Sequence, residues 1–475
     1  MLWLALHFPD LPLQIYAPPP DAILAVAGTG RRPEVLAATG PARALGVVPG
    51  LSVAAATALA PGLVVQPRNP HREAETLAGA ATWALQFTPE VSPAPPDALL
   101  LEIGGCLRLF GGLDRLLGRV RDGLAELGLD GVPAVAPTPE GARTLARSGL
   151  ELSVPDLAEL RRHIAALPLD SLDHSAETLT SLANLGMRTI GDCLALPRDG
   201  LARRFGPELP ALLDRILGRQ ADPRQAIVLP DRFGNRLELF APVLEVDALL
   251  FGVKRLVTEL CGWLTARNAG VRRLTLSLGH EHRPATPLPL ALVTPQRDPA
   301  HLFMLLRERL HRIDLVAGVS ELSLAADETT QIEPLNFSLF GEREHIREDC
   351  LNLAERLQAR LGMAAVSGLS LCPEHRPELA WREVAPGAET TAADFPPRPF
   401  WLLPRPRPLA MRDALPWLDG PLSLERGPER IESGWWDDAF VRRDYFLART
   451  ASGARLWVYR ELGTMERWFL HGIFA

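Results

Sequence analysis

Lysine is almost missing from this chain: of its 50 basic residues, only Lys254 is not an arginine. Such a bias reads as the mark of a GC-rich genome rather than of a special guanidinium chemistry. Positive charge is also in deficit overall, since 57 acidic residues leave a net charge of -7. No global field therefore draws nucleic acid, and any DNA contact has to come from local patches. Cysteine is scarce. The five thiols (Cys106, Cys193, Cys261, Cys350 and Cys372) are odd in number, widely spread and form no C-x-x-C pair. That excludes a disulfide framework and points to reduced thiols in a cytoplasmic protein. Cys372 and His375 have half of a zinc spacing without its second half, so no metal is expected there. Long apolar runs are missing too. Residues 45–65 carry no charge, but Gly46, Pro49, Gly50, Pro61 and Gly62 break them into a turn and a short buried helix. A membrane span is excluded. No basic segment leads into an apolar one near Met1, so no signal peptide is read. There is no G-x-S-x-G and no H-E-x-x-H, and Lys254 is followed by Arg255 without the glycine loop of a Walker A motif.

What is present fits a soluble globular protein, 47% hydrophobic and 23% charged. At 475 residues the chain exceeds one compact core, and three or more domains are expected. The pattern reads as an α+β multidomain fold. Residues 2–8 form an apolar strand stopped by Pro9 and Pro12, and 23–27 a second strand. Ser52 caps a helix to about Leu59. Helices are expected at 71–86, 113–127 and 139–148, with strands at 99–103 and 107–109. Two short helices flank Gly186 within 178–196. Residues 224–328 offer strands at 236–241, 273–278 and 321–325 and helices at 249–266 and 300–312. A polar linker at 331–342 precedes an amphipathic helix carrying Ile346, Cys350, Leu353, Leu357 and Leu361, closed by Gly362. The prolines of 396–399 and 404–408 make a stiff extended segment. A hairpin is read at 445–449 and 456–459, turning at Ala451-Ser452-Gly453.

Several of these stretches carry a resemblance. Ala42-Arg43-Ala44-Leu45-Gly46-Val47 resembles the fingers of Y-family (UmuC/DinB-like) translesion DNA polymerases. The 99–103 strand with Gly104-Gly105-Cys106-Leu107-Arg108-Leu109-Phe110-Gly111 resembles their palm strand. Leu182-Ala183-Asn184-Leu185-Gly186-Met187-Arg188-Thr189-Ile190-Gly191-Asp192 resembles the helix-hairpin-helix of their thumb. The ending, with Arg430-Ile431-Glu432-Ser433-Gly434-Trp435-Trp436 and Arg467-Trp468-Phe469-Leu470-His471-Gly472, resembles more specifically the polymerase-like subunit of a bacterial damage-induced (SOS) mutagenesis system. The resemblance implies a right-hand architecture. Its parts are a ferredoxin-like palm (1–20 and 75–165), small α/β fingers (21–74), a helix-hairpin-helix thumb (166–222) and an α+β little finger (224–330). A clamp-binding linker (331–342) and a C-terminal partner-binding extension with a β-hairpin (343–475) follow.

An active member of that family holds two divalent ions on three carboxylates. Its first strand carries Asp-x-Asp; the matching positions here are His7 and Pro9. A shift by one residue brings Asp10 into the second place but Phe8 into the first. Its second strand carries Asp-Glu, matched by Asp97 and Ala98. The steric-gate aromatic is matched by Pro12 and a nucleotide-contacting tyrosine by Gly40, while Arg43 and Arg143 stand as a nucleotide-binding remnant. The expectation is a catalytically degenerate scaffold with no cofactor and no metal; the alternative is an active low-fidelity translesion polymerase. His7 and Asp97 also read plainly as a satisfied core histidine and a turn residue, and Arg43 as the partner of a local carboxylate. DNA contacts are expected from the backbone of Leu185, Gly186 and Met187 and from Arg188, Arg203, Arg204, Arg272 and Arg273, modest in strength and salt-dependent. Asn336-Phe337-Ser338-Leu339-Phe340 is similar to the Q-L-S-L-F peptide by which bacterial polymerases dock on the β sliding clamp, unless it packs back on its own domain. The resemblance further implies an ImuA-type protein and an error-prone replicative-type DNA polymerase as partners.

Overall fold

The computed structural model describes residues 1–332, 342–388, 396–463 and 466–474, without the side chains of 342–349. The clamp-like peptide 336–340 lies outside the described residues. The chain divides into two compact units, Met1–Phe340 and Gly341–Ala475.

In the first unit, the strand Trp3–His7 is buried along its whole length because apolar residues occupy both of its faces. It lies at the interior of a four-stranded sheet, between the antiparallel strands Ala98–Glu102 and Val132–Ala136, with Val91–Ala94 beyond. Leu4 and Leu6 face one core with the helices Pro70–Ala84 and Leu113–Glu126. Trp3 and Ala5 face the other, with the helix Pro139–Arg147 and the short helices of 157–216. A separate three-stranded sheet and the helix Val53–Leu59 form a small lobe within residues 24–67. Ser52 accepts the N–H of Ala55 and caps that helix as its sequence requires.

Residues 107–110 are a helical turn, not the expected strand. A four-residue stretch is too short to show a decisive period, and the left-handed Gly111, at φ +76°, closes the turn. The second four-stranded sheet, in residues 234–331, packs beside the long helix Val246–Ala266. Its edge strand Arg283–Gln296 was hidden in the sequence by four prolines, which an edge tolerates.

The second unit contains the helix Glu342–Leu361, a two-stranded sheet (Gly368–Leu371 with Trp381–Val384) and a six-stranded antiparallel sheet. The expected hairpin is Val441–Arg449 with Arg455–Glu461. The proline-rich segment is extended as read, but it is also a sheet strand, Trp401–Arg412, pairing with Arg467–Ile473 around a register shift. All five cysteines are free. Among the described residues no helix is long and apolar enough to cross a membrane.

Candidate functional site

The two strand ends that the sequence singled out do meet. His7 lies directly opposite Ala98 in the ladder, and the Phe8 N–H donates to the Asp97 carbonyl at 2.7 Å. The strand stops at His7, however, so Pro9 sits exposed in the following turn and does not share a strand face with His7. Ala98 is fully buried. His7 is buried with its Nε2 3.4 Å from Asp97 Oδ2.

From Asp97 a chain of alternating charges runs across the fold. Arg147 Nη1 lies 3.7 Å from Asp97 and 3.8 Å from Asp173. Arg143 Nη1 pairs with Asp173 at 2.7 Å and stands 3.6 Å from Glu140, while its Nη2 donates to the Pro95 carbonyl at 3.2 Å. Arg224 closes the series on Glu140, at 2.5 Å, and Asp222. The helix Pro139–Arg147 makes this possible, because i and i+4 put Arg143 and Arg147 on one face. Burial would push the Asp97 carboxyl up, but the hydrogen bond and charge of His7, with Arg147 and Arg143 nearby, hold it below the usual range. Asp97 Oδ1 is buried without a hydrogen-bond partner. Asp10, the alternative ligand on a shifted register, is turned to Arg43, which grips both of its oxygens at 2.8 and 2.9 Å. Arg43 is thus paired with a local carboxylate, and Arg143 is buried in the charge chain. Sequence reasoning missed Arg147 and Asp173; the four-residue spacing of the two arginines was the available signal.

The helix-hairpin-helix joins Ala176–Asn184 to Ile190–Leu194. Gly186, at φ +89°, ends the first helix in a left-handed cap. The Met187 N–H bonds the Leu182 carbonyl and the Gly186 N–H that of Ala183. Leu185 N–H is likewise spent on Leu182, and the Arg188 and Thr189 N–H groups on the Asp192 carboxylate. These three turn residues therefore offer no free backbone donor, which corrects the expectation that Leu185, Gly186 and Met187 grip phosphate through N–H groups. Arg188, Arg203 and Arg204 remain exposed around the hairpin. Arg272 is the extra residue of a β-bulge, since Glu328 faces Arg273 and Thr329 faces Val271. Both arginines stay exposed, Arg273 3.7 Å from Glu328.

Comparison with known proteins adds three findings. Residues 20–147 match the impB/mucB/samB family. Protein ImuB of Caulobacter vibrioides, strain NA1000 / CB15N, is 28% identical over 439 residues, covering 87% of this chain and 96% of its own; that of strain ATCC 19089 / CIP 103742 / CB 15 gives the same values. Among solved structures, a Dbh ternary complex aligns with TM-score 0.39 and 18% identity, over 70% of this chain and 100% of that one. DinB from Sulfolobus solfataricus gives TM-score 0.38 at the same identity and coverage. The sequence matches agree with the motifs at both ends of the chain: over 87% of its length it is similar to ImuB, and its residues 20–147 match the impB/mucB/samB family.

Proposed function

We propose that this protein is a non-catalytic, Y-family polymerase-like scaffold in damage-induced translesion DNA synthesis. The observation that carries the reading is the donor set around Asp97. Two hard cations need several carboxylate oxygens. Ala98 and Pro9 have no ligand atom, His7 offers an imidazole, and Asp10 is held by Arg43. Asp97 alone remains, and it is already engaged by His7 and Arg147. Among the described residues no group of three or more His, Cys, Asp or Glu could hold a metal ion. The residues do not fit the metal pair, so phosphoryl transfer is not assigned to this chain.

The value of such a chain lies in what it gathers. Its proposed partners are the β sliding clamp through Asn336, Phe337, Ser338, Leu339 and Phe340, an ImuA-type protein and an error-prone replicative-type polymerase, with the cytoplasm as the compartment. Duplex DNA would be contacted through the side chains of Arg188, Arg203, Arg204, Arg272 and Arg273, with affinity falling steeply as salt rises. Primer extension with magnesium or manganese tests the core of the reading. No extension is expected; extension lost on Asp97→Ala would overturn it in favour of a low-fidelity polymerase. A pull-down with the β clamp tests the peptide, recovery being expected for the wild type and lost for Leu339→Ala/Phe340→Ala.

A further inference from the structure

We propose that the strand Trp401–Arg412 is a binding site for single-stranded DNA. Residues 396–412 hold four arginines and no carboxylate, in a chain whose net charge is -7. Arg398 is consumed by Glu429, at 2.6 Å through both nitrogens, and by the Trp457 ring. Arg405, Arg407 and Arg412 are exposed, and among the described residues none of the three has a carboxylate partner, although Arg412 lies over the Trp417 ring at 4.8 Å, which leaves Arg405 and Arg407 as the cations of the site. Arg405 and Arg407 are two residues apart, about 6.6 Å along an extended chain, a step comparable to that between phosphates of an extended nucleic acid.

At the head of the strand Phe400 and Trp401 are 79% and 66% exposed and stand edge to face with centroids 6.0 Å apart. Exposed aromatic faces beside unpaired cations are the elements on which unpaired bases stack while their phosphates are neutralised. Pro404, Pro406 and Pro408 remove the N–H donors that an added peptide strand would need, so a ligand here is read by side chains. The same prolines hold the side chains in place before binding.

The test is fluorescence anisotropy of a labelled oligothymidylate with the full chain, over a salt series, beside a duplex of equal length. Arg405→Ala/Arg407→Ala is expected to weaken oligothymidylate binding about tenfold or more and to reduce the salt slope by about 1.4, two contacts at roughly 0.7 each. Phe400→Ala/Trp401→Ala is expected to weaken it about tenfold with the slope unchanged. Duplex binding should stay within about twofold in both. Wild-type affinity and slope in both variants would overturn the proposal. So would polyglutamate of matched length displacing the oligonucleotide at equal concentration, which would mark the strand as a site for acidic peptides. All four side chains are exposed, so unchanged thermal unfolding is expected to accompany the loss.

Discussion

Asp97 illustrates how one carboxylate changes role when its neighbours do. Its desolvation alone would favour the neutral acid; the His7 hydrogen bond and the Arg147 and Arg143 charges reverse that preference. A carboxyl held below its unfolded value stabilises the fold at pH above that value, and the contribution is lost as pH falls through the folded one. Asp97→Asn should therefore cost about 1–2 kcal/mol at pH 7, with the gap to wild type closing below about pH 4. Urea midpoints of the two proteins at pH 7 and pH 3 measure it, and a gap indifferent to pH would remove ionisation as its cause. Much of this site was legible in the sequence: His7, Asp97 and Ala98 do fall at adjoining strand ends, because apolar runs stopped by proline define strand ends well. What stayed hidden was pairing. That Arg147 reaches both Asp97 and Asp173, and that Asp10 belongs to Arg43, depends on how elements far apart in sequence approach each other.

The hairpin of residues 176–194 shows local chemistry deciding an element. Thr189 accepts the Asp192 N–H while the Asp192 carboxylate accepts the Thr189 N–H, a reciprocal cap on a helix too short to persist unaided. Removing one half by Thr189→Ala is expected to cost about 1 kcal/mol. Gly186→Ala meets no neighbour within 4 Å, so its penalty, also about 1 kcal/mol, comes from the left-handed backbone alone. Thermal unfolding reads both, and an unmoved midpoint for Gly186→Ala would mean that the turn relaxes to another conformation. Capped helices of this kind were readable because their signals are local. The strands Arg283–Gln296 and Trp401–Arg412 were not, since their prolines argue locally against a sheet, which an edge position permits in the first and a register shift in the second.

Within the Met1–Phe340 unit, the region 224–330 is not a loosely tethered module. The helix Val246–Ala266 comes so close to Pro70–Ala84 that a Cβ on Gly262 would stand 2.9 Å from the Trp83 Cα. Beside that contact Glu259 is buried, pairing with Arg255 at 3.4 Å and accepting from Asn235, while Arg255 donates to the Gln14 carbonyl at 3.1 Å. Burial raises the Glu259 carboxyl against the lowering effects of Arg255 and Asn235. A raised acid binds more protons folded than unfolded, so the stability of this junction falls as pH rises through the folded value. Arg255→Met strips the cation that opposes desolvation and pushes that value higher still. The variant is expected to lose about 3–5 kcal/mol at neutral pH, to lose more as pH rises, and to recover most of it when Glu259→Gln is added. Trypsin cutting within residues 217–233, corrected with a free peptide at each pH, follows the junction directly. Cutting no faster in Arg255→Met than in wild type would show that the helix contact at Gly262 holds the two parts together without the buried pair.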